Sequence, residues 1–186
     1  MKFEDAGKYR KQIKKLYKSA FPRNERAPFF LLMRRTGNGR DSFNAVIKNG
    51  EFIGLVYTIS TEKLVYIFFL ALTEDKRGKG YGSEILERIQ NTNQNKAIML
   101  LVEDTDDTGA DNYEERIKRL NFYISNGFKR LNIKVNEAGV DYEILGTKDS
   151  VSSADFFGIM RDWVGGVLFK FLYKKNDLSE FNKKER

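Results

Sequence analysis

Apolar and polar positions recur with two different periods along this chain, and each change of period marks a new element. Over residues 7 to 20, Tyr9, Ile13, Leu16, Tyr17 and Ala20 fall three or four apart with lysines between them, which predicts an amphipathic helix. Pro28 suits the first turn of a second, short helix running through Met33. From Ser42 to Lys48 and from Glu51 to Ser60 the period drops to two and β-forming residues dominate. Asn49-Gly50 between these runs is a strong two-residue hairpin signal. Lys63 to Leu72 reads as a third strand, and its unbroken apolar run suits a buried, central position. Helical spacing returns at 83 to 92 through Ile85, Leu86 and Ile89. A strand from Ala97 to Glu103, a helix at 112 to 126, and strands near 128 to 135 and 139 to 145 follow. This order predicts an α/β fold with a mixed, mostly antiparallel central sheet flanked by helices, antiparallel first and then strand, helix, strand.

The last apolar pattern is the richest. Phe156, Phe157, Met160, Trp163, Val164, Val167, Leu168, Phe171 and Leu172 recur at helical spacing, although Gly165-Gly166 should break or kink the run. Such a stripe fits packing on the chain's own sheet, a homodimer contact, or a membrane-surface helix with Lys170, Lys174 and Lys175 on its flank. No Pro/Gly/Ser-rich linker or internal repeat divides the 186 residues. The expected organisation is a domain over 1–146 and an apolar helical extension over 147–186 packed on it, ending in a basic tail.

Composition narrows the chemistry. With no cysteine, disulfides and thiolate catalysis are excluded; with no histidine, the usual base and the commonest metal ligand are missing. Proton traffic must then run through carboxylate, tyrosine, lysine or water. The start, Met1-Lys2-Phe3-Glu4-Asp5, lacks the apolar stretch of a signal peptide, and no run is long and apolar enough to span a bilayer, so a cytoplasmic protein is expected. The formal charge of +7 raises the question of nucleic acid. Its distribution answers against it: the excess sits in Lys8, Arg10, Lys11, Lys14, Lys15 and Lys18 on the first helix and in Lys183, Lys184 and Arg186 of the tail, patterns typical of solvated faces and chain ends.

One local sequence carries a specific chemistry. Arg77-Gly78-Lys79-Gly80-Tyr81-Gly82 follows the apolar strand and opens a helix. Glycines permit a tight turn with exposed amides, and the helix start adds unpaired N–H groups and a positive dipole end, an arrangement that receives phosphate. A Walker loop is excluded because Gly82 is followed by Ser83-Glu84 rather than Lys-Ser/Thr. A dinucleotide fingerprint fits Gly78 and Gly80 but meets Ser83 at its third glycine, although Glu103 could serve as its acidic residue. Arg/Gln-x-x-Gly-x-Gly/Ala fits in full, with Arg77, Gly80 and Gly82 in place, and resembles the pyrophosphate loop of the GNAT superfamily of acyl-CoA N-acyltransferases. Phe122-Tyr123-Ile124-Ser125-Asn126-Gly127-Phe128 resembles that family's FYxxxGF segment, where a helix ends on a glycine cap. Phe21-Pro22-Arg23-Asn24-Glu25-Arg26-Ala27-Pro28-Phe29 resembles the FPxxERxPF entry of small bacterial members. Together these cover about residues 20 to 146.

The resemblance implies a splayed sheet. Backbone groups of Ala71, Leu72 and Thr73 would bind the pantetheine arm, and Arg77, Gly78, Lys79, Gly80, Tyr81 and Gly82 the pyrophosphate of acetyl-CoA, with Lys76 as a further counter-charge. The acceptor, a small-molecule or peptide amine, would attack the thioester directly in a ternary complex, so an N-acetyltransferase without metal is implied. The competing class is a degenerate fold of this kind, a non-catalytic acyl-CoA sensor or a basic adaptor.

Four residues are singled out for the chemistry. Tyr123 is the candidate acid for the departing thiolate, since a phenol of ordinary pKa near 10 holds its proton at neutral pH; its alternative is core packing. Glu103, ending a central strand, is the candidate base, directly or through water, or else a solvent-facing charge. Glu25 is a candidate for a cationic acceptor, or a partner of Arg23 or Arg26. Arg116 stands where many family members carry an asparagine; it can meet a phosphate or a substrate carboxylate, or pair with Glu25 or Glu103. Asp104, Asp106, Gly109 and Glu115 match a calcium loop only in part, because Thr108 and Asp111 break the pattern and no helix precedes it. A polar loop whose Asp111 or Asn112 caps the next helix is the expectation there.

Overall fold

The computed structural model describes residues 1–176, 178, 181 and 182. The basic tail residues Lys183, Lys184 and Arg186 lie outside them. The chain forms two compact units, Met1–Lys96 and the remainder from Ala97.

The first unit holds β1 (Lys2–Asp5), α1 (Arg10–Ala20), α2 (Phe29–Arg35), β2 (Asp41–Lys48), β3 (Glu51–Ser60), β4 (Leu64–Leu72), a 3-10 turn at Glu74–Lys76, and α3 (Tyr81–Thr92). Its strands pair antiparallel in chain order. The β2–β3 turn is Asn49-Gly50, both at positive φ (51° and 82°), the geometry that Asn-Gly favours. α1 begins later than its apolar spacing suggests, because the Asp5 carboxylate accepts the Gly7 amide at 2.8 Å and holds residues 6 to 9 in a turn. Its Ile13, Leu16 and Tyr17 are buried, with Tyr17 edge-on to Phe69 at 5.0 Å, and its lysines are exposed. Burial raises the Tyr17 hydroxyl above its ordinary pKa, although it donates to the Ala27 carbonyl at 3.0 Å.

β1 was not legible in the pattern. It is four residues long, pairs through its backbone from Lys2 opposite Ile47 to Asp5 opposite Asn44, and buries no residue fully. Gly54 of β3 has another requirement. It stands opposite Leu72, and a Cβ there would lie 2.5 Å from the Ala71 carbonyl oxygen, so the close approach of β3 and the end of β4 excludes any side chain.

The second unit contains β5 (Ala97–Glu103), α4 (Tyr113–Ser125), β6 (Lys129–Glu137), β7 (Val140–Gly146), α5 (Ser153–Val164) and α6 (Gly166–Leu172). β7 lies between β5 and β6, antiparallel to both, with Ile144 and Leu145 inaccessible to solvent. Buried Glu143 on β7 takes a bidentate ion pair from Arg130 at 2.6 to 3.0 Å, the partnering that a buried carboxylate needs. Ser152 and Asp155 form a capping box that starts α5, and α5 buries Phe156, Phe157, Met160 and Trp163. Among the described residues, seven strands, paired antiparallel within each unit, and six α-helices realise the mixed α/β architecture read from the sequence.

The apolar stripe does not continue as its spacing predicts. Gly165 adopts φ 84° and ψ 151°, a region open essentially to glycine alone, and turns the chain between α5 and α6. Phe169 and Tyr173, outside the stripe, are buried in place of Val167, Leu168 and Phe171.

Candidate active site

In the first unit the residues from Ala71 to Gly82 run from the end of β4 into the first turn of α3. The Thr73 amide reaches the Ile53 carbonyl at 2.9 Å and its hydroxyl the same oxygen at 3.4 Å. The ladder with β3 therefore extends one residue past Leu72, and the Thr73 amide expected to be free is bonded. Strand alternation turns the Leu72 peptide groups away from β3, where its carbonyl accepts Arg77 Nε at 3.3 Å.

Beyond Arg77 the backbone changes character. Gly78 and Gly80 have φ of 71° and 80° with open space where a Cβ would stand, and Gly80 is the residue from which α3 starts. Among the described residues, no hydrogen bond is made by the amides from Gly78 to Ser83; the next amide, Glu84, returns to the Gly80 carbonyl at 3.1 Å. Consecutive unpaired amides at a helix start form an anion-binding nest. Lys76 is not available as a counter-charge, since it pairs with Glu51 at 2.7 Å and Asp75 at 3.4 Å, contacts that raise its pKa. Lys79 has no ion pair among the described residues and is exposed, as is Arg77. Tyr81 lies under Lys48, whose ammonium is 5.8 Å from the ring and grips Glu84 at 2.7 Å, which holds that carboxyl below its usual range. Glu25, also in this unit, is half-buried in the turn after α1, its amide on the Pro22 carbonyl at 3.1 Å.

The second unit gathers the other residues on α4 and the end of β5. Glu103 is 6 % exposed and fully engaged: Asn112 Nδ2 donates at 3.0 Å, Arg116 stands at 3.2 Å, and Arg119 at 2.7 Å. Of the partners expected for Arg116, the structure gives Glu103. Arg116 also donates to Asn112 Oδ1 at 2.7 Å and to the Asp104 carbonyl at 2.9 Å, so its guanidinium is turned inward. Asn112 stands at the N-cap of α4 but does not cap it, because both ends of its amide serve Glu103 and Arg116. Asp104 and Asp106, the start of the calcium-like spacing, both hold Lys134, Asp104 at 2.8 Å. Burial pulls the Asp104 carboxyl upward, but Lys134 and the Asp106 amide bring it below its ordinary value. No cluster of metal-ligating side chains occurs among the described residues.

Tyr123 sits in the last turn of α4. α4 closes with the Phe128 amide on the Tyr123 carbonyl (3.2 Å) and the Gly127 amide on that of Ile124 (3.1 Å), with Gly127 at φ 86°. This is a Schellman cap, and its apolar contact is the edge-on pair of Tyr123 and Phe128 at 5.8 Å. The phenol is raised above its ordinary pKa by burial, against a lowering by the Arg119 charge. Among the described residues its hydroxyl has no hydrogen-bond partner, so the donor is unspent. The sequence did not single out Arg119, and it offered Asn112 only as a helix cap. Their signal was present: 112, 116, 119 and 123 follow helical spacing and place Arg119 on the stripe of Arg116 and Tyr123.

The sequence profile described as the acetyltransferase (GNAT) family matches residues 10–117, more than half of the chain and the whole glycine loop. The protein belongs to the GNAT acetyltransferase family. No protein of curated function matches its sequence. Among solved structures, one from Bacteroides thetaiotaomicron, assigned to the GNAT family of acetyltransferases, is similar with a TM-score of 0.72 and 19 % identity over 91 % of this chain and 98 % of the other. An aminoglycoside 6'-N-acetyltransferase complexed with coenzyme A has a TM-score of 0.60 at 13 % identity, covering 82 % of this chain and 99 % of its own. The ribosomal-protein-S18-alanine N-acetyltransferase from Escherichia coli has 0.59 at 15 %, covering 82 % and 94 %. At such identities the likeness is one of fold. No helix among the described residues is long and apolar enough to cross a membrane.

Proposed function

We propose that this protein is an N-acetyltransferase that moves the acetyl group of acetyl-CoA onto an amine by direct attack. The observation that carries the reading is the run of unpaired amides from Gly78 to Ser83, leading into the first turn of α3. Those amides receive the pyrophosphate, Arg77 and Lys79 add positive charge, and the backbone near Ala71 and Leu72 aligns the pantetheine arm. The amine nitrogen attacks the thioester carbonyl carbon, a tetrahedral intermediate forms, and the C–S bond breaks. Tyr123 gives its phenolic proton to the departing thiolate.

The attacking amine must lose one proton. We assign this to Glu103 or to water, and the ion pairs of Glu103 with Arg116 and Arg119 define the competing role, an anchor for two cations. Arg116 we assign to holding Glu103 in either case, and Glu25 to a cationic acceptor. The relatives named for aminoglycosides and for a ribosomal alanine support an amine as acceptor class. The test is thiol release by the purified protein with acetyl-CoA against polyamines, aminoglycosides, amino acids and N-terminal peptides. Acceptor-dependent release is expected; tight acetyl-CoA binding with no release for any amine would assign a sensor instead.

A further inference from the structure

The nine residues Val167 to Lys175 contain three lysines and no acidic residue. A helix continued straight from α5 would have kept Val167, Leu168 and Phe171 on the buried stripe of Phe156, Phe157 and Met160. The turn at Gly165 rotates them outward. Val167 is 91 % exposed, Leu168 48 % and Phe171 68 %, while Phe169 and Tyr173 enter the interior beside Phe157. Lys170, Lys174 and Lys175 share the exposed surface, and none has an ion pair among the described residues; the Lys174 ammonium is 5.5 Å from the Phe171 ring.

This face is firmly held. The Tyr173 hydroxyl donates to Glu137 at 2.6 Å, the Ala138 amide to the Leu172 carbonyl at 3.2 Å, and the Asn176 side chain exchanges two 2.7 Å hydrogen bonds with the Asn136 backbone. The clasp fixes α6 on the β6–β7 turn with its apolar residues outward.

Two properties choose the occupant. Three side chains are a small fraction of the roughly 800 Å² per partner that a stable dimer buries, and a two-fold contact would set lysines against lysines. An anionic bilayer suits both features, since Val, Leu and Phe enter the boundary of headgroups and acyl chains while lysine stems carry their charges up to the phosphates. We propose that the outer face of α6, Val167, Leu168 and Phe171 with Lys170, Lys174 and Lys175, docks the protein reversibly on an anionic lipid surface. The proposal is independent of acetyl transfer.

The experiment is co-sedimentation of the whole protein with vesicles of phosphatidylcholine alone and of phosphatidylcholine with phosphatidylglycerol in equal parts. Binding is expected to the mixed vesicles, falling as salt rises. Replacing the three lysines by glutamine should lower partitioning about 100-fold, at about fivefold for each charge. Leu168→Ser with Phe171→Ser should lower it about tenfold or more without changing the circular dichroism, because both residues are exposed. Parent-level binding by the serine variant would overturn the proposal in favour of simple charge attraction, as through the lysines of α1. Absence of parent binding would also overturn it, as would a concentration-dependent dimer that the serine variant abolishes.

Discussion

The glycine loop and the Glu103 cluster handle polar groups in opposite ways. From Gly78 to Ser83 the backbone leaves its amides unpaired, whereas around Glu103 Asn112, Arg116 and Arg119 satisfy the carboxylate with their side chains. An unsatisfied backbone at a helix start is an invitation to an anion. A buried carboxylate with every partner in place is already a finished structure, and removing one partner leaves a charge stranded. The first region leaves donors open, which on the proposed function a ligand completes; the second is completed by its own chain. Tyr123, on the same helix as the second, keeps its donor unspent and so sides with the first.

That contrast predicts its largest effect at Tyr123. Tyr123→Phe should lower turnover about 10²- to 10⁴-fold while calorimetry gives unchanged acetyl-CoA affinity. The same variant has a stability test. Burial raises the folded phenol above its ordinary value of 10.0, so this group's contribution to stability is fully present below pH 10 and is lost as pH rises from there, where the unfolded phenol ionises first. The phenylalanine variant should lose less stability than the parent in alkaline melts. Unchanged turnover would move Tyr123 to the self-completed side of the comparison.

Next in size is the loop. Gly80→Asp should weaken acetyl-CoA binding about 100-fold, because a side chain at φ 80° is strained and a carboxylate repels the pyrophosphate. Gly80→Asn separates the causes. Asparagine tolerates a positive φ, so a loss of about tenfold or less is expected, and equal losses would show that conformation alone matters.

The Glu103 cluster should respond in stability as well as rate. Arg116→Ala leaves Glu103 with one cation fewer and should cost about 1 to 3 kcal/mol in denaturant unfolding. Glu103→Gln should reduce turnover about tenfold or more at neutral pH, with recovery at alkaline pH if Glu103 is the base, since more acceptor then arrives as free amine. A uniform loss across pH would make it an anchor. The smallest effect is expected at Lys79, where Lys79→Ala should weaken acetyl-CoA binding only a few-fold and more at low salt, as befits an exposed charge.

How much of this was legible depended on whether local sequence governs the feature. Asn49-Gly50, Gly80 and Gly127 announce their conformations because only certain residues accept a positive φ, and the turn, loop and cap fell where those residues stand. β4 followed from its unbroken apolar run and α3 from its helical spacing. β1 escaped because its four residues are ordered by pairing with β2, a non-local cause that leaves no pattern. The Glu103 cluster was half visible: Glu103 and Arg116 stood out by position, but the choice of partner is made by three dimensions, and Arg119 looked like one more helical charge. The C-terminal stripe breaks at Gly165, as the Gly165-Gly166 pair announces, but which residues face inward after the break is set by one dihedral pair and leaves no pattern in the sequence.

Gly54 shows how a residue can matter to a site it never touches. Its missing side chain sets the spacing between β3 and the end of β4, and the atom it would strike is the Ala71 carbonyl oxygen. Gly54→Ala would lever the strand end aside and carry the Leu72 carbonyl and the loop behind it out of place. A mutational scan scored by growth or turnover would then mark position 54 as intolerant as Gly80, and ligand contact would be the wrong diagnosis. Acetyl-CoA titration beside thermal melting tells the two apart: damage at position 54 should appear in both, damage at Gly80 mainly in the first.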